Sequence, residues 1–407
     1  MFKGKNIILG VTSSIAAYKS ANVASALVKK GCNVNVLMTE NATNFINPLT
    51  FEELTKHKCI IDTFDRNVQY NVAHISLAVS ADAFIIAPAS ANVIGKIANG
   101  IADDMLTTTV MACKCPVIIS PAMNTNMYEN LIVQDNIAKL ERFGYIIVPP
   151  AEGRLACGTI GKGKMPDEQV LLDYLERALS DKQDFKGKRV LVTAGPTQES
   201  IDPVRYITNH SSGKMGYAVA RQAMLRGAEV TLVSGKVNLP PVPFVKMIYI
   251  TTAEDMYNAV TAEFENTDIV IKAAAVADFR PKRTADDKLK KADGMDSIEL
   301  EPTKDILKEL GKNKKNRFIC GFSMETKNMT ENSRKKLENK NLDMIVCNNL
   351  KVEGAGFQGD TNVVTVIDKT NITELGIMSK TEVADKILDR IAETVSYTHL
   401  RAHETRG

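Results

Sequence analysis

The side chains with chemistry to offer are few, and most sit in loops. Cys157 stands in 153-GRLACGTIGKGKMPD-167, among glycines and basic residues. Such a segment buries little and disfavours regular helix or strand. A thiol beside cations on a loop is either a reactive group or a small residue in a turn. His74 comes just ahead of an apolar helical stretch in YNVAHISLAVSADAF. Histidine is the commonest acid–base side chain near neutral pH, although a lone histidine is often structural. Small residues and amides gather in 87-APASANVIGKIANGIADDMLTT-108 and again in 121-PAMNTNM-127, which hold Asn92, Asn124 and Met127. Two strand ends of this composition would pack a flat ligand against backbone, or would be ordinary capped connections. Thr12, Ser13 and Ser14 can cradle a phosphate at a helix N-terminus or simply cap it. Lys288, Lys290 and Lys291 in DDKLKK, and Lys336 and Lys340 in RKKLENKNLD, are either phosphate-neutralising cations or a solvated face.

These groups need elements to position them. Two segments share one layout. NIILGVTSS leads through a helical stretch to KKGCNVNVLMT, and RVLVTAGPT leads through a longer loop and helix to RGAEVTLVS. Each reads as strand, polar loop, helix, glycine turn, strand. Ile15, Val23 and Leu27 fall on one helical row in the first, and Met215, Val219 and Ala223 in the second. Gly31 and Gly227 sit where each helix should stop. Further buried strands are expected at 83–90, 116–123, 144–150, 268–275, 317–322 and 343–349, apolar runs that suit a parallel sheet. Ligands in such sheets bind at the carboxyl ends of strands, so the residues just after each run are the candidates. Neither unit carries G-x-G-x-x-G, which disfavours an ordinary NAD site. The charged stretch 180–188 marks a boundary, giving domains over 1–183 and 184–395, closed by a helix in KTEVADKILDRIAETV. The last residues, 396–407, lack apolar periodicity and read as a non-native tail holding two of the five histidines.

Bulk properties narrow the classes. A chain of 407 residues has room for two or three domains. A net charge of +3 gives no general case for nucleic acid or membrane binding. No apolar run reaches the ~20 residues of a membrane helix, and the N-terminus reads as a first strand and not a signal peptide. Seven scattered cysteines without C-x-x-C argue against a disulfide framework and a zinc knuckle, and for a reducing cytoplasm. Cys113 and Cys115 read as two core thiols.

Taken together, GVTSSIAAYK, His74, PASANVIGKIANGIADDMLT, PAMNTNM and LACGTIGKGKM resemble the flavin-dependent cysteine decarboxylases. AGPTQESIDPVRYITNHSSGKMG, AAAVADFRP, KLKK and GFSMET resemble the phosphopantothenate–cysteine ligases. In this order the pair resembles the bifunctional phosphopantothenoylcysteine decarboxylase/phosphopantothenate–cysteine ligases of bacterial coenzyme A synthesis, over nearly all of 1–395. The resemblance implies an α/β chain of two Rossmann-like parallel-sheet domains, the first flavodoxin-like. It implies FMN in the first, lined by Thr12, Ser13, Ser14, Thr39, Ser90, Ala91 and Asn92, with the flavin as electron sink for loss of CO₂. His74 would be the base, Asn124 would bind the substrate carboxylate, and Met127 would pack nearby. The Cys157 loop would be a flap that closes on its glycines, with Cys157 as proton donor and Arg154 drawing the anionic substrate.

For the second half the resemblance implies cysteine, 4'-phosphopantothenate and CTP as substrates, with Mg²⁺ or Mn²⁺ whose ligands are unknown. Asn209 would hold an acyl-cytidylate. Ser211, Ser212 and Gly213 would take the phosphate of phosphopantothenate. Lys288 would contact phosphate. Ala273, Ala274, Ala275, Asp278, Phe322, Lys336 and Lys340 would bind the nucleotide. The family's Asn-Pro-Asp-like nucleotide segment is replaced here by Pro302-Thr303-Lys304-Asp305-Ile306, which puts side-chain roles at 303 and 304 in doubt. Trimeric contacts in the first half and dimeric contacts in the second would build a homo-oligomer, a dodecamer being one such assembly. The alternatives are a flavoprotein decarboxylase of another thiol with a degenerate nucleotide-binding half, and a flavodoxin-like assembly protein without turnover.

Overall fold

A computed structural model describes residues 1–63, 73–156, 158–290, 297–324, 329–348 and 359–404, with backbone only at 73, 329–330 and 396–404. Cys157 and Lys291 therefore lie outside the described residues. The chain forms two compact units, Met1–Ser180 and Asp181–Gly407.

The first unit is built on a five-stranded sheet. In spatial order its strands are Asn33–Met38, Asn6–Val11, Ala83–Ala89, Val117–Pro121 and Ile146–Ile147, all parallel. In chain order this is 2-1-3-4-5, the flavodoxin-like arrangement. Strand alternation explains the layers. Ile7, Leu9 and Val11 face one core with the helices Ala17–Lys29 and Glu168–Ala178. Ile8 faces the other with Ala91–Ala98 and Leu131–Arg142. Val23 and Leu27 are buried as expected, but Ile15 is 61% exposed, because the first helix begins only at Ala17. Gly31 has φ +82° just past that helix, the left-handed stop expected of it.

The second unit carries eight strands in the order Lys246–Tyr249, Glu229–Ser234, Arg189–Ala194, Ile269–Lys272, Phe318–Met324, Met344–Asn348, Thr361–Asp368 and Ile372–Ser379. The first six are parallel in the 3-2-1-4-5-6 order of dinucleotide-binding sheets. The last two are antiparallel, an edge extension that the apolar-run search does not find. Val190, Val192 and Ala194 pack under the helices Lys214–Leu225 and Lys380–Glu404, while Leu191 faces Ile306–Lys312 and the helix carrying Leu337. The closing helix continues into the segment read as a tail, with helical backbone to Glu404. Among the described residues, no helix is long and apolar enough to cross a membrane.

Candidate active sites

In each unit the strand order reverses beside the first strand, and in such sheets the loops leaving that point are where a ligand crevice is expected. In the first unit these loops follow Val11 and Ala89. They are joined by one hydroxyl. Thr12 Oγ1 donates to the Pro88 carbonyl at 2.8 Å and accepts from the Ser90 N–H at 2.8 Å. Thr12 is fully buried, so its hydroxyl is spent on holding the crevice. Ser90 in turn caps the helix Ala91–Ala98 by accepting from Val93 N–H at 3.4 Å. Ala91 is half-buried and Asn92 exposed at the head of that helix. Ser14 Oγ accepts from Ala16 N–H at 3.3 Å, and Ser13 stands half-buried beside it. Thr39, at the end of the neighbouring strand, has a buried Oγ1 with no hydrogen-bond partner among the described residues. A buried hydroxyl in that state is costly unless a ligand satisfies it. The crevice therefore fits a polar ligand such as a flavin's ribityl-phosphate arm.

The acidic pair in the Asn92 stretch is structural. Lys96 Nζ lies 2.7 Å from Asp103 and 3.0 Å from Asp104, and Asp104 forms a capping box with Thr107. Burial alone would raise the Asp104 carboxyl, but the Thr107 N–H and Lys96 hold it below the usual range. Cys113 and Cys115 are half-buried against the core and couple to each other, which raises one thiol and lowers the other.

Asn124 caps the short helix Thr125–Tyr128, accepting from Asn126 N–H at 2.9 Å, and Met127 is exposed on it. An antiparallel hairpin of Ala151–Arg154 and Ile160–Lys164 docks on this segment. Met123 N–H donates to the Gly163 carbonyl at 3.0 Å. Leu155 N–H donates to the Thr159 carbonyl at 2.8 Å between the two strands; Cys157 lies outside the described residues. Arg154 is exposed on the first strand. His74 is half-buried in the first turn of the helix Ala73–Ser80. The structure thus joins the Asn124 segment to the hairpin of Ala151–Arg154 and Ile160–Lys164, and Thr12 to Ser90; among the described residues no hydrogen bond joins His74 to either pair.

The second unit holds a cleft of about 540 Å³ at its own switch point. Asn209, Ser211, Ser212, Ala273, Ala274, Ala275, Asp278, Phe322, Lys336 and Lys340 all line it. Asn209 Nδ2 donates to the Ala275 carbonyl at 3.1 Å, which fixes the amide against the strand end. The alanine loop is held from below by Thr193 Oγ1, accepting from Ala274 N–H at 3.1 Å, and by Thr197 Oγ1, accepting from Ala277 N–H at 3.0 Å. Gly213 is the N-cap of Lys214–Leu225 at φ +76°, and no side chain caps that helix. A helix N-terminus in that position suits an anion.

Electrostatics at the far wall centre on Asp305. It caps the helix Ile306–Lys312 through Lys308 N–H at 3.1 Å and pairs with Lys340 Nζ at 2.7 Å. Burial pushes its carboxyl up, but these two contacts outweigh burial and hold it low. Thr303 Oγ1 donates to the Ala277 carbonyl at 2.6 Å, so this side chain braces the alanine loop. Lys304 turns to Glu254 at 2.7 Å and over the Tyr257 ring.

Lys288 is not among the lining residues; it is exposed on a neighbouring loop. That loop is pinned by buried Asp202, which accepts from Leu289 N–H at 3.2 Å, and by Arg205, which donates to the Leu289 carbonyl at 2.5 Å. The cleft also includes groups the motifs did not single out: Lys272, Asn348, Asn362 and Lys380. Asn362 Nδ2 donates to Asn348 Oδ1 at 2.7 Å, an amide pair made by the antiparallel extension. Among the described residues no group of three or more His, Cys, Asp or Glu could hold a metal ion.

The family models divide the chain as the fold does. One described as Flavoprotein matches residues 1–180, and one described as DNA/pantothenate metabolism flavoprotein C-terminal domain matches residues 185–395. The coenzyme A biosynthesis bifunctional protein CoaBC of Bacillus subtilis (strain 168) is 48% identical over 406 residues, covering 99% of this chain and 100% of that protein. This chain belongs to the CoaBC family. The CoaBC of Vibrio vulnificus (strain YJ016) is 43% identical over 391 residues, 95% of this chain and 97% of that one. A crystal structure of the C-terminal domain of a CoaBC protein is 44% identical with a TM-score of 0.46, covering 53% of this chain and 99% of that chain. As a CoaBC protein the chain is a bifunctional enzyme of coenzyme A biosynthesis, a flavoprotein with decarboxylase and ligase activities.

Proposed function

We propose that the two activities occupy the two crevices, and that they run in sequence. In the second unit CTP activates the carboxylate of 4'-phosphopantothenate as an acyl-cytidylate with release of pyrophosphate. The amine of cysteine then attacks the acyl carbon and expels CMP. The first unit decarboxylates the resulting phosphopantothenoylcysteine to 4'-phosphopantetheine. The observation that carries this reading is the 540 Å³ cleft, where four distant stretches bring an oriented amide, uncapped helix N–H groups, an aromatic ring and lysines to one strand end.

The roles are those the resemblance implies, and the placement supports them. Ser211, Ser212 and the Gly213 helix end hold the phosphate of phosphopantothenate. Asn209, already oriented by Ala275, holds the acyl-cytidylate for attack. Phe322 stacks on the nucleotide. Lys336 and Lys340 neutralise charge that grows as pyrophosphate leaves, and Lys288 reaches the phosphates from its loop. Asp278 and Asp305 are too few to cage an ion, so Mg²⁺ or Mn²⁺ would enter with nucleotide phosphates as ligands.

In the first unit, FMN would lie along Ser13, Ser14, Thr39, Ser90, Ala91 and Asn92, with Thr12 tying the two loops together beside it. When bound, the flavin supplies the two-electron sink that decarboxylation needs. His74 removes a proton, Asn124 and Arg154 orient the anionic substrate, Met127 packs on it, and Cys157 returns a proton. Exposed Val79, Leu131, Ile132 and Phe143 on this unit are apolar surface that a trimer would cover, with dimer contacts in the second unit. The six described cysteines are all free, in keeping with a cytoplasmic enzyme. The test supplies cysteine, phosphopantothenate, Mg²⁺ and either CTP or ATP. CTP-dependent pyrophosphate followed by CO₂ supports the reading, and CO₂ without any nucleotide requirement contradicts it.

A further inference from the structure

We infer that Lys272 is a contact for a phosphoryl anion in the cleft of the second unit, a role assigned to it by none of the motifs above. The inference rests on the ligase reading of that cleft and adds a residue to it.

Lys272 is the last residue of the strand Ile269–Lys272, immediately before the alanine loop. Alternation puts it on the same face as Val270. Val270 is fully buried in the cluster that contains Ile306, Leu307, Leu342 and Ile345. One step further along that face, Lys272 rises beside the same wall at the point where it opens, and it lines the cleft with Asp305, Lys340 and Leu342.

Other cations of this wall are committed. Lys340 is paired with Asp305 at 2.7 Å, Lys304 with Glu254 at 2.7 Å, and Lys380 Nζ donates to the Gly359 carbonyl at 2.5 Å. The Lys272 ammonium, only partly exposed, makes no hydrogen bond or ion pair among the described residues. A half-buried ammonium without a partner loses hydration and gains nothing in return. Burial, and then the like charge of Lys340, push it down to about 8, against the weaker pull of Asp305 and Asp278. Lys336, Lys304, Lys380 and His210 also face this cleft. An anion set between Lys272 and Lys340 would reverse both effects, and a lysine serves a phosphate as a compact charge. Either the nucleotide or phosphopantothenate could bring that phosphoryl group.

Calorimetric titration of the full chain with Mg–CTP, and separately with 4'-phosphopantothenate, distinguishes the two sources. A bound anion raises the Lys272 pKa, so affinity for the ligand that reaches it should fall as pH rises past about 8, with proton uptake on binding. Lys272→Met should weaken that ligand about tenfold or more. Lys272→Arg, which also controls for folding, should keep the affinity and lose the pH step. A Lys272→Met protein that binds both ligands as tightly as the unaltered chain, with the same pH profile, overturns the inference. An unaltered chain that binds neither ligand overturns instead the ligase reading of the cleft.

Discussion

Gly163 lies against the backbone of Met123. Its carbonyl accepts the Met123 N–H at 3.0 Å, its φ is +140°, and a Cβ there would stand 2.3 Å from the Met123 carbonyl oxygen. Gly161 is also close, with its would-be Cβ 2.7 Å from the Thr125 side-chain Oγ1. These two glycines permit close docking of the hairpin on the Asn124 segment. The flap is anchored there, which is a different use of glycine from the hinge that its sequence invites.

Gly163→Ala should therefore undock the hairpin that carries Cys157. The expected result is a loss of decarboxylation of about tenfold or more, with faster proteolysis within 151–164 and unchanged CTP-dependent pyrophosphate release. Coupled assays of the two products on one preparation check it.

Thr12 and Thr39 should separate structure from cofactor binding. Thr12→Val strands the buried Ser90 N–H, while the Pro88 carbonyl keeps the Thr12 N–H at 3.3 Å, and should cost about 1–3 kcal/mol, read as a lower melting temperature of the flavin-free protein. Thr39→Val replaces an oxygen that has no protein partner, so the flavin-free protein should melt within a degree or two of the original. Its retention of flavin on gel filtration should nevertheless weaken.

Asp202 governs the loop of Lys288. Burial would raise this carboxyl, yet the N–H groups of Val204, Arg205 and Leu289 and the Arg205 guanidinium hold it down to about 2. A depressed folded pKa gives stability that is present above the unfolded value of ~3.9 and lost as pH falls through about 2. Asp202→Asn should flatten that acid limb in thermal melts and raise the KM of the ligase for CTP. The decarboxylase should be unaffected.

Much of this was legible in the sequence, and the remainder has a physical cause. Apolar runs ending in small residues gave the parallel strands, because burial on both faces leaves that composition. Gly31 and Gly227 marked helix ends, both with positive φ. Residues contiguous in a loop, such as Ala273–Asp278, were found together because one strand end presents them all. Lys272, Asn348, Asn362 and Lys380 were missed, because each stands at the edge of a different element and only the fold assembles them. The strands Thr361–Asp368 and Ile372–Ser379 were missed for a related reason. The first has its apolar residues interrupted by threonines, and the second is largely exposed.

The central claim is that two chemistries sit at two separate switch points of one chain, and the Asn209→Ala protein tests it most directly. Asn209 touches Ala275 in the cleft of the second unit. Pyrophosphate and CO₂ would be measured on the same sample, with CO₂ also measured from supplied phosphopantothenoylcysteine. The prediction is that CTP-dependent pyrophosphate and the CO₂ that depends on it fall together, while CO₂ from the supplied intermediate continues at the unaltered rate. Equal loss of both, with the protein folded and its flavin retained, would contradict the account.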